Sequence, residues 1–282
     1  MKNLIVRTIT GVLFVAAIVC SFMTPEGMVA LFALITGLTI WEFCGLVNER
    51  PGVAINQSIC TVAGVYFFFA MTYFCSDLYG GTTKSVVFIP YLITIIYLLV
   101  AELYSKQPDP INNWAYTMLS QMYIALPFSL INVLAFNATH EGLITFNTLL
   151  PLSIFVFLWV NDTGAYCVGS LLGRHKLFPR VSPGKSWEGC VGGGIFVLAA
   201  AYAIGHFVDH GILTTPQWLG MGMVVTIFGT WGDLVESLFK RTLGIKDSGN
   251  ILPGHGGMLD RFDSALLAIP AAVVYLYTLS MF

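Results

Sequence analysis

Charge is what this sequence has least of: 13 Lys and Arg and 15 Asp and Glu among 282 residues, 10% in all, where soluble domains carry about 25%. That scarcity, with a mean hydropathy of +0.79, excludes an ordinary soluble domain and indicates an integral membrane protein. The six cysteines, at 20, 44, 60, 75, 167 and 190, have no CxxC or metal-ligand spacing. A zinc site and a disulfide framework are therefore not expected, and the cysteines read as small core hydrophobes. No repeat of 20 to 50 residues and no low-complexity segment is present. The first apolar run, opening MKNLIVR, lacks a small-x-small cleavage site, so it reads as a retained helix, and the bulky Val19 before Cys20 argues against a lipoprotein.

What the chain does have is hydrophobic runs long enough to cross a bilayer core of about 30 Å. Nine are expected, near 4–23, 27–47, 59–75, 85–103, 114–136, 147–168, 190–208, 218–239 and 264–281. The fifth is the weakest, interrupted by Ser120, Gln121, Pro127 and Asn132. Loops left in the cytoplasm carry the excess of Lys and Arg. With a cytoplasmic N-terminus and nine alternating spans, twelve of the 13 basic residues fall inside and only Lys84 falls outside. Eight of the twelve lie in two loops, near 169–189 and 240–263. The expected fold is thus all-α and polytopic, an N-terminal scaffold at 1–145 followed by a catalytic region at 146–282.

An intramembrane carboxylate costs about 2.5–3.5 kcal/mol on insertion scales and needs a polar cavity, a cation or a metal. Glu42 and Glu102 sit near the ends of their runs, where snorkelling is cheap, and read as structural. Asp162, Asp233 and Glu236 lie beside the two basic loops. In GTWGDLVESLFKRTLGIKD, the residues Asp233, Glu236, Ser237, Lys240 and Arg241 recur at helical three-four spacing. One helix wall would run from acids through a hydroxyl to cations, or simply neutralise itself through i, i+4 pairs.

The stretch GHGGMLDRFDS adds Gly254, Gly256 and Gly257, which permit close backbone approach and positive φ, followed by Asp260 and Asp263 around Arg261, whose guanidinium can fork onto phosphate. Acids from two elements flanked by Lys and Arg suit a divalent metal holding a polyphosphate, since magnesium takes one or two carboxylates plus substrate phosphates. His255 suits a phosphate contact or proton transfer, or a structural role. A third piece, WVNDTGAYCVGSLLGRHKLFPRVSPGKSWEG, offers Arg174, Lys176, Lys185 and Ser186 as anion contacts near Asp162. Its GKS is not a P-loop, because Pro179 stands where that motif needs glycine and no strand precedes it.

Ser237-Leu-Phe-Lys240-Arg241, then Lys246-Asp247, then Leu252-Pro-Gly-His255-Gly256-Gly257-Met-Leu-Asp260-Arg261-Phe-Asp263 resembles, across 27 residues, the signature of the phosphatidate cytidylyltransferases, or CDP-diacylglycerol synthases. Asn161-Asp162-Thr-Gly-Ala-Tyr166 and Ser182-Pro-Gly-Lys185-Ser-Trp-Glu188-Gly resemble that family's upstream motifs. The resemblance implies transfer of a cytidylyl group from CTP to phosphatidate, with Asp233, Asp260, Lys240 and Arg241 as catalytic residues. It implies Mg2+ held by Asp233 and Asp260 with Ser237 nearby, and K+ as a second ion. Substrate contacts are expected from Asp162, Lys185, Ser186, Lys246, Asp247, His255, Gly256, Gly257, Arg261 and Asp263. The implied partners are CTP, phosphatidate, membrane lipids and a second copy in a homodimer, with no nucleic acid. The implied setting is the bacterial cytoplasmic membrane with the site facing the cytoplasm. A cytidylyltransferase for isoprenoid ether lipids and a polyprenol kinase would use similar chemistry. An ion-coupled transporter would also bury acids, though transporters spread them over two related halves and here they crowd one.

Overall fold

The computed structural model describes residues 2–76, 84–138, 143–209, 211–249, 251 and 256–279, with backbone alone for 2–7. Each expected apolar run falls on a helical segment: α1 Lys2–Ser21, α2 Pro25–Asn48, α3 Gln57–Ser76, α4 Ile89–Ser105, α5 Pro110–Leu119 continuing through a π-helical stretch Ser120–Ala125 into α6 Leu126–Ala135, α7 Leu149–Leu172, α8 Trp187–Ala203, α9 Thr215–Thr242 and α10 Leu259–Thr278. Among the described residues seven of these segments, from α2 to α9 with α5 and α6 taken as one, are long and apolar enough to cross a membrane. The protein is an all-α integral membrane protein. Among the described residues its β-strands form two antiparallel hairpins, β1 Phe136–Ala138 with β2 Ile144–Phe146, and β3 Lys176–Phe178 with β4 Ser182–Ser186.

The chain forms two compact units, Met1–Thr148 with Asp247–Phe262, and Leu149–Lys246 with Asp263–Phe282. Residues 247–262 group with the N-terminal helices, a return that chain order does not announce.

In the first unit the weak fifth run has a physical account. Ser120, Gln121 and Asn132 are buried. Gln121 Nε2 donates to the Cys60 carbonyl at 3.0 Å, and Thr72 Oγ1 donates to Asn132 Oδ1 at 2.9 Å. These polar side chains join helices where lipid offers no partner. Pro127 lacks an N–H and its ring crowds the carbonyl four residues back; the wider π-helical turn ends just before it. Phe262 stacks edge-on with Phe14 and Phe128, at 5.5 and 5.4 Å between centroids, which anchors the first turn of α10 in this unit.

In the second unit α7 and α8 approach closely through small residues, as membrane helices do. A Cβ on Gly189 would stand 2.9 Å from the Ala165 carbonyl, and one on Gly164 would stand 3.1 Å from the Gly193 Cα. α9 meets the end of the chain similarly: a Cβ on Gly232 would fall 2.6 Å from the Asp263 carbonyl oxygen and 3.0 Å from the Ser264 Cα. At 28 residues α9 is about 42 Å long, longer than a bilayer core, and it starts with a Thr214–Gln217 capping box and Pro216. Asp209 secures the α8–α9 connection by accepting hydrogen bonds from the Gly211, Ile212 and Leu213 amides and from Trp218 Nε1, at 2.7–3.1 Å. Burial opposes its ionisation, but these donors outweigh that and hold its pKa below the ordinary carboxylate value.

Candidate active site

Three carboxylates of the second unit lie near one another. Asp162 sits ten residues before the end of α7 and Asp233 nine before the end of α9, each about 14–15 Å along its helix. Asp263, on α10, has its carbonyl packed against Gly232, the residue before Asp233. Asp233 is held by side chains. Lys185 Nζ stands 2.6 Å from its Oδ2, and Ser237 Oγ, one helical turn on, donates to its Oδ1 at 3.1 Å. Carboxylates placed together disfavour one another's ionisation unless cations are near, and Lys185 and Lys176 line the same cavity as Asp162.

Lys185 arrives on the β3–β4 hairpin, which pairs Lys176 with Ser186 and Phe178 with Ser182. The hairpin is fastened at its base. Glu188 accepts from the Arg174 and His175 amides, both at 3.2 Å, and contacts His175 Nδ1 at 2.6 Å, while the Trp187 amide donates to the His175 carbonyl. A cavity of about 450 Å³ follows, lined by Asp162, Lys176, Lys185, Tyr166 and Thr230. Cys190 and Thr230 also line an apolar groove of about 750 Å³, walled by Trp187, Trp231, Leu234 and Leu238, with Arg180 at its edge.

The signature segment of the first unit fixes the other aspartate through backbone. Asp260 Oδ2 accepts from the Ser248 amide at 2.8 Å and the Gly257 amide at 2.9 Å, and the Asp260 amide points to Ser248 Oγ at 3.3 Å. Gly256 has φ +84°, a conformation costly for residues with a Cβ, and a Cβ there would also meet Asp260 Oδ2 at 2.6 Å. Neighbouring Gly257 packs against Glu42 and Ser248.

In the second unit the carboxylates of Asp162, Asp233 and Asp263 and the Ser237 hydroxyl, and in the first the Asp260 carboxylate, are hard oxygen donors of the kind magnesium or another hard cation takes. Among the described residues no three acidic, His or Cys side chains are gathered as a ready metal site. Magnesium completes its shell with water and phosphate, so one or two of these carboxylates suffice.

Residues 5–279 match the model of the cytidylyltransferase family. The chain belongs to that family. It is 31% identical over 276 residues to a phosphatidate cytidylyltransferase of Haemophilus influenzae, covering 94% of this chain and 95% of the relative. Its identity to a phosphatidate cytidylyltransferase of Staphylococcus haemolyticus is 34% over 242 residues, 84% of this chain and 89% of the relative. For one from Staphylococcus aureus strain COL it is 37% over 195 residues, 68% and 70%. The chain is therefore a nucleotidyltransferase.

Seen in this cytidylyltransferase, the residues expected to act do not all behave alike. Lys185, Asp162, Asp233, Ser237 and Asp263 cluster in the second unit, and Asp260, Gly256, Gly257 and Asp247 belong to the first. Lys240 does not stand open to a substrate. Its Nζ pairs with Oε2 of fully buried Glu236 at 2.7 Å, the self-neutralised helix end. Arg241, exposed, donates to the Ile245 carbonyl at 3.2 Å, where Gly244 at φ +72° closes α9. Ser186 is buried and its Oγ accepts from the Gly189 amide at 3.1 Å, capping α8, while the residue also lines the cavity beside Lys185. Arg261, Lys246 and Asp247 are exposed. His255 lies outside the described residues. The six cysteines are free thiols, Cys44 and Cys60 buried but Cys20 and Cys167 exposed.

Glu42 is structural, as expected, but by another route than snorkelling. It does not snorkel; it is buried and accepts hydrogen bonds from Ser248 Oγ, Met258 N and Leu259 N. The available signal was an acid in the middle of LTIWEFCGL, with no cation within reach on its own helix. Glu102 does behave as structural, accepting from Asn113 Nδ2 and Ser105 Oγ.

Proposed function

We infer that this chain transfers the cytidylyl group of CTP to phosphatidate, releasing pyrophosphate and forming CDP-diacylglycerol. The observation that carries the reading is the family match along 5–279, together with full-length similarity to a protein named for this activity. A phosphatidate oxygen attacks the α-phosphorus of CTP, and the bond from that phosphorus to the oxygen bridging to the β-phosphorus breaks. The attacking phosphate is already largely ionised near neutral pH, so no strong general base is assigned. Magnesium, if held here, would supply positive charge to offset that of the two anionic reactants.

Positioning and electrostatics do the remaining work. Asp233 with Ser237, and Asp260, are the residues assigned to hold the ion, with K+ as a second ion. Lys185 moves from Asp233 to a phosphate oxygen as nucleotide enters, and Asp162 and Asp263 keep the neighbourhood negative enough to recruit the metal. Arg261 and Lys246 receive the leaving pyrophosphate. The apolar groove beside Thr230 takes an acyl chain, with Arg180 near the headgroup. The protein works as a homodimer in the bacterial cytoplasmic membrane, crossing it nine times with the N-terminus and the site on the cytoplasmic side, where CTP and phosphatidate meet. Purified protein given phosphatidate, magnesium and CTP labelled in the cytidine is expected to release one pyrophosphate per liponucleotide formed. Pyrophosphate without liponucleotide, or no turnover, would refute the reading.

A further inference from the structure

Glu42 is a carboxylate buried in α2 whose partners among the described residues are hydrogen-bond donors of the signature segment. Oε1 accepts from Ser248 Oγ and, at 3.1 Å, from the Leu259 amide, while Oε2 accepts from the Met258 amide at 2.8 Å. Two of these donors are backbone amides at the start of α10, where amides lack intrahelical partners and the helix dipole favours negative charge. Glycines hold the approach open. A Cβ on Gly249 would stand 2.7 Å from Glu42 Oε2, and one on Gly257 would collide with Glu42 and Ser248. Ser248 then continues the chain, because its amide donates to Asp260 Oδ2 and its hydroxyl receives the Asp260 amide. Every link lies within the first unit.

We propose that Glu42 is a positioning residue which, through Ser248 and the first turn of α10, sets the direction in which Asp260 presents its carboxylate. The proposal rests on the reading of Asp260 as a metal-holding residue. A carboxylate is suited to this because it accepts from three donors at once, whereas glutamine must turn an NH2 toward a donor. Burial makes each mismatch costly.

The test uses the full-length protein in lipid nanodiscs, with Glu42→Gln, Glu42→Ala, Ser248→Ala and, as an equally destabilised control, Asn132→Ala. Amide hydrogen exchange at Met258, Leu259 and Gly257 is read without metal or substrate, and the Mg2+ concentration giving half-maximal cytidylyl transfer is read separately. Glu42→Gln is expected to speed exchange at Met258 and Leu259 at least tenfold and to raise the Mg2+ requirement several-fold, with Glu42→Ala worse and the Glu42→Gln, Ser248→Ala pair less than additive. Asn132→Ala should move neither quantity to that extent. Unchanged exchange in Glu42→Gln would overturn the positioning role itself. Faster exchange with an unchanged Mg2+ requirement would leave the contact standing, sink the link to Asp260 as a metal ligand and so overturn the proposal. If Glu42→Ala fails to insert, Glu42→Gln alone decides.

Discussion

The two units each carry an aspartate of the signature, and they hold it by opposite means. Asp260 in the first is oriented by backbone amides, which cannot leave without moving the chain. Asp233 in the second is held by a lysine and a serine hydroxyl, side chains that can rotate away. The difference fits the two roles proposed above: a fixed carboxylate would define where a cation goes, and an exchangeable one would let Lys185 transfer its charge to an arriving phosphate.

The sharpest way to break the fixed half is Gly257→Ala, which places a methyl against Glu42 and Ser248. Overpacking of this kind costs roughly 1–3 kcal/mol or more, here concentrated on the segment that orients Asp260. Activity is expected to fall at least a hundredfold while α2–α6 remain folded by circular dichroism, and a normal rate would show that the segment tolerates rearrangement. The exchangeable half is probed by Lys185→Ala. A charge-assisted hydrogen bond is worth about 1.5–3 kcal/mol, so the KM for CTP is expected to rise roughly ten- to a hundredfold, and an unchanged dependence of rate on CTP would remove Lys185 from the site. Ser237→Ala removes one hydrogen bond to a carboxylate, about 1.5 kcal/mol at the low end for a charged acceptor, and should cost roughly tenfold in rate, measured at saturating CTP.

Smallest in activity is Asp209→Asn, distant in sequence from every signature residue. Its pKa is depressed in the folded protein, so its stabilisation is present above the unfolded value near 3.9 and is lost as pH falls through the folded value. The variant is expected to keep its rate and lose a few degrees of Tm at pH 7, with the gap closing as pH drops below about 4. A gap that widens in acid would reverse the assignment.

Much of the architecture was legible because one physical variable, hydrophobic run length, dominates a membrane chain: each expected run coincides with a helix. The clustering of Asp162, Asp233, Asp263 and Lys185 was legible in part, through acids too expensive to leave unexplained in apolar segments. Packing against distant segments was not. Ser186 shows in sequence only as a hydroxyl beside Lys185, and that it also caps α8 through the Gly189 amide depends on packing that no local pattern displays. Glycines 256 and 257 promised close approach, but the groups beside them include the protein's own Asp260 and Glu42. Glu42, more than 200 residues from its partners, has no local pattern that could announce them.

Whether Asp233 and Asp260 serve one ion is most directly measured by cytidylyl transfer in purified Asp233→Asn, Asp260→Asn and the double variant across a range of Mg2+, each checked for intact insertion. Residues acting as a unit are strongly non-additive. Each single variant is expected to lose at least a thousandfold and the double to be no worse than either. Near-normal turnover in one single variant, or losses that multiply in the double, would contradict a shared ion.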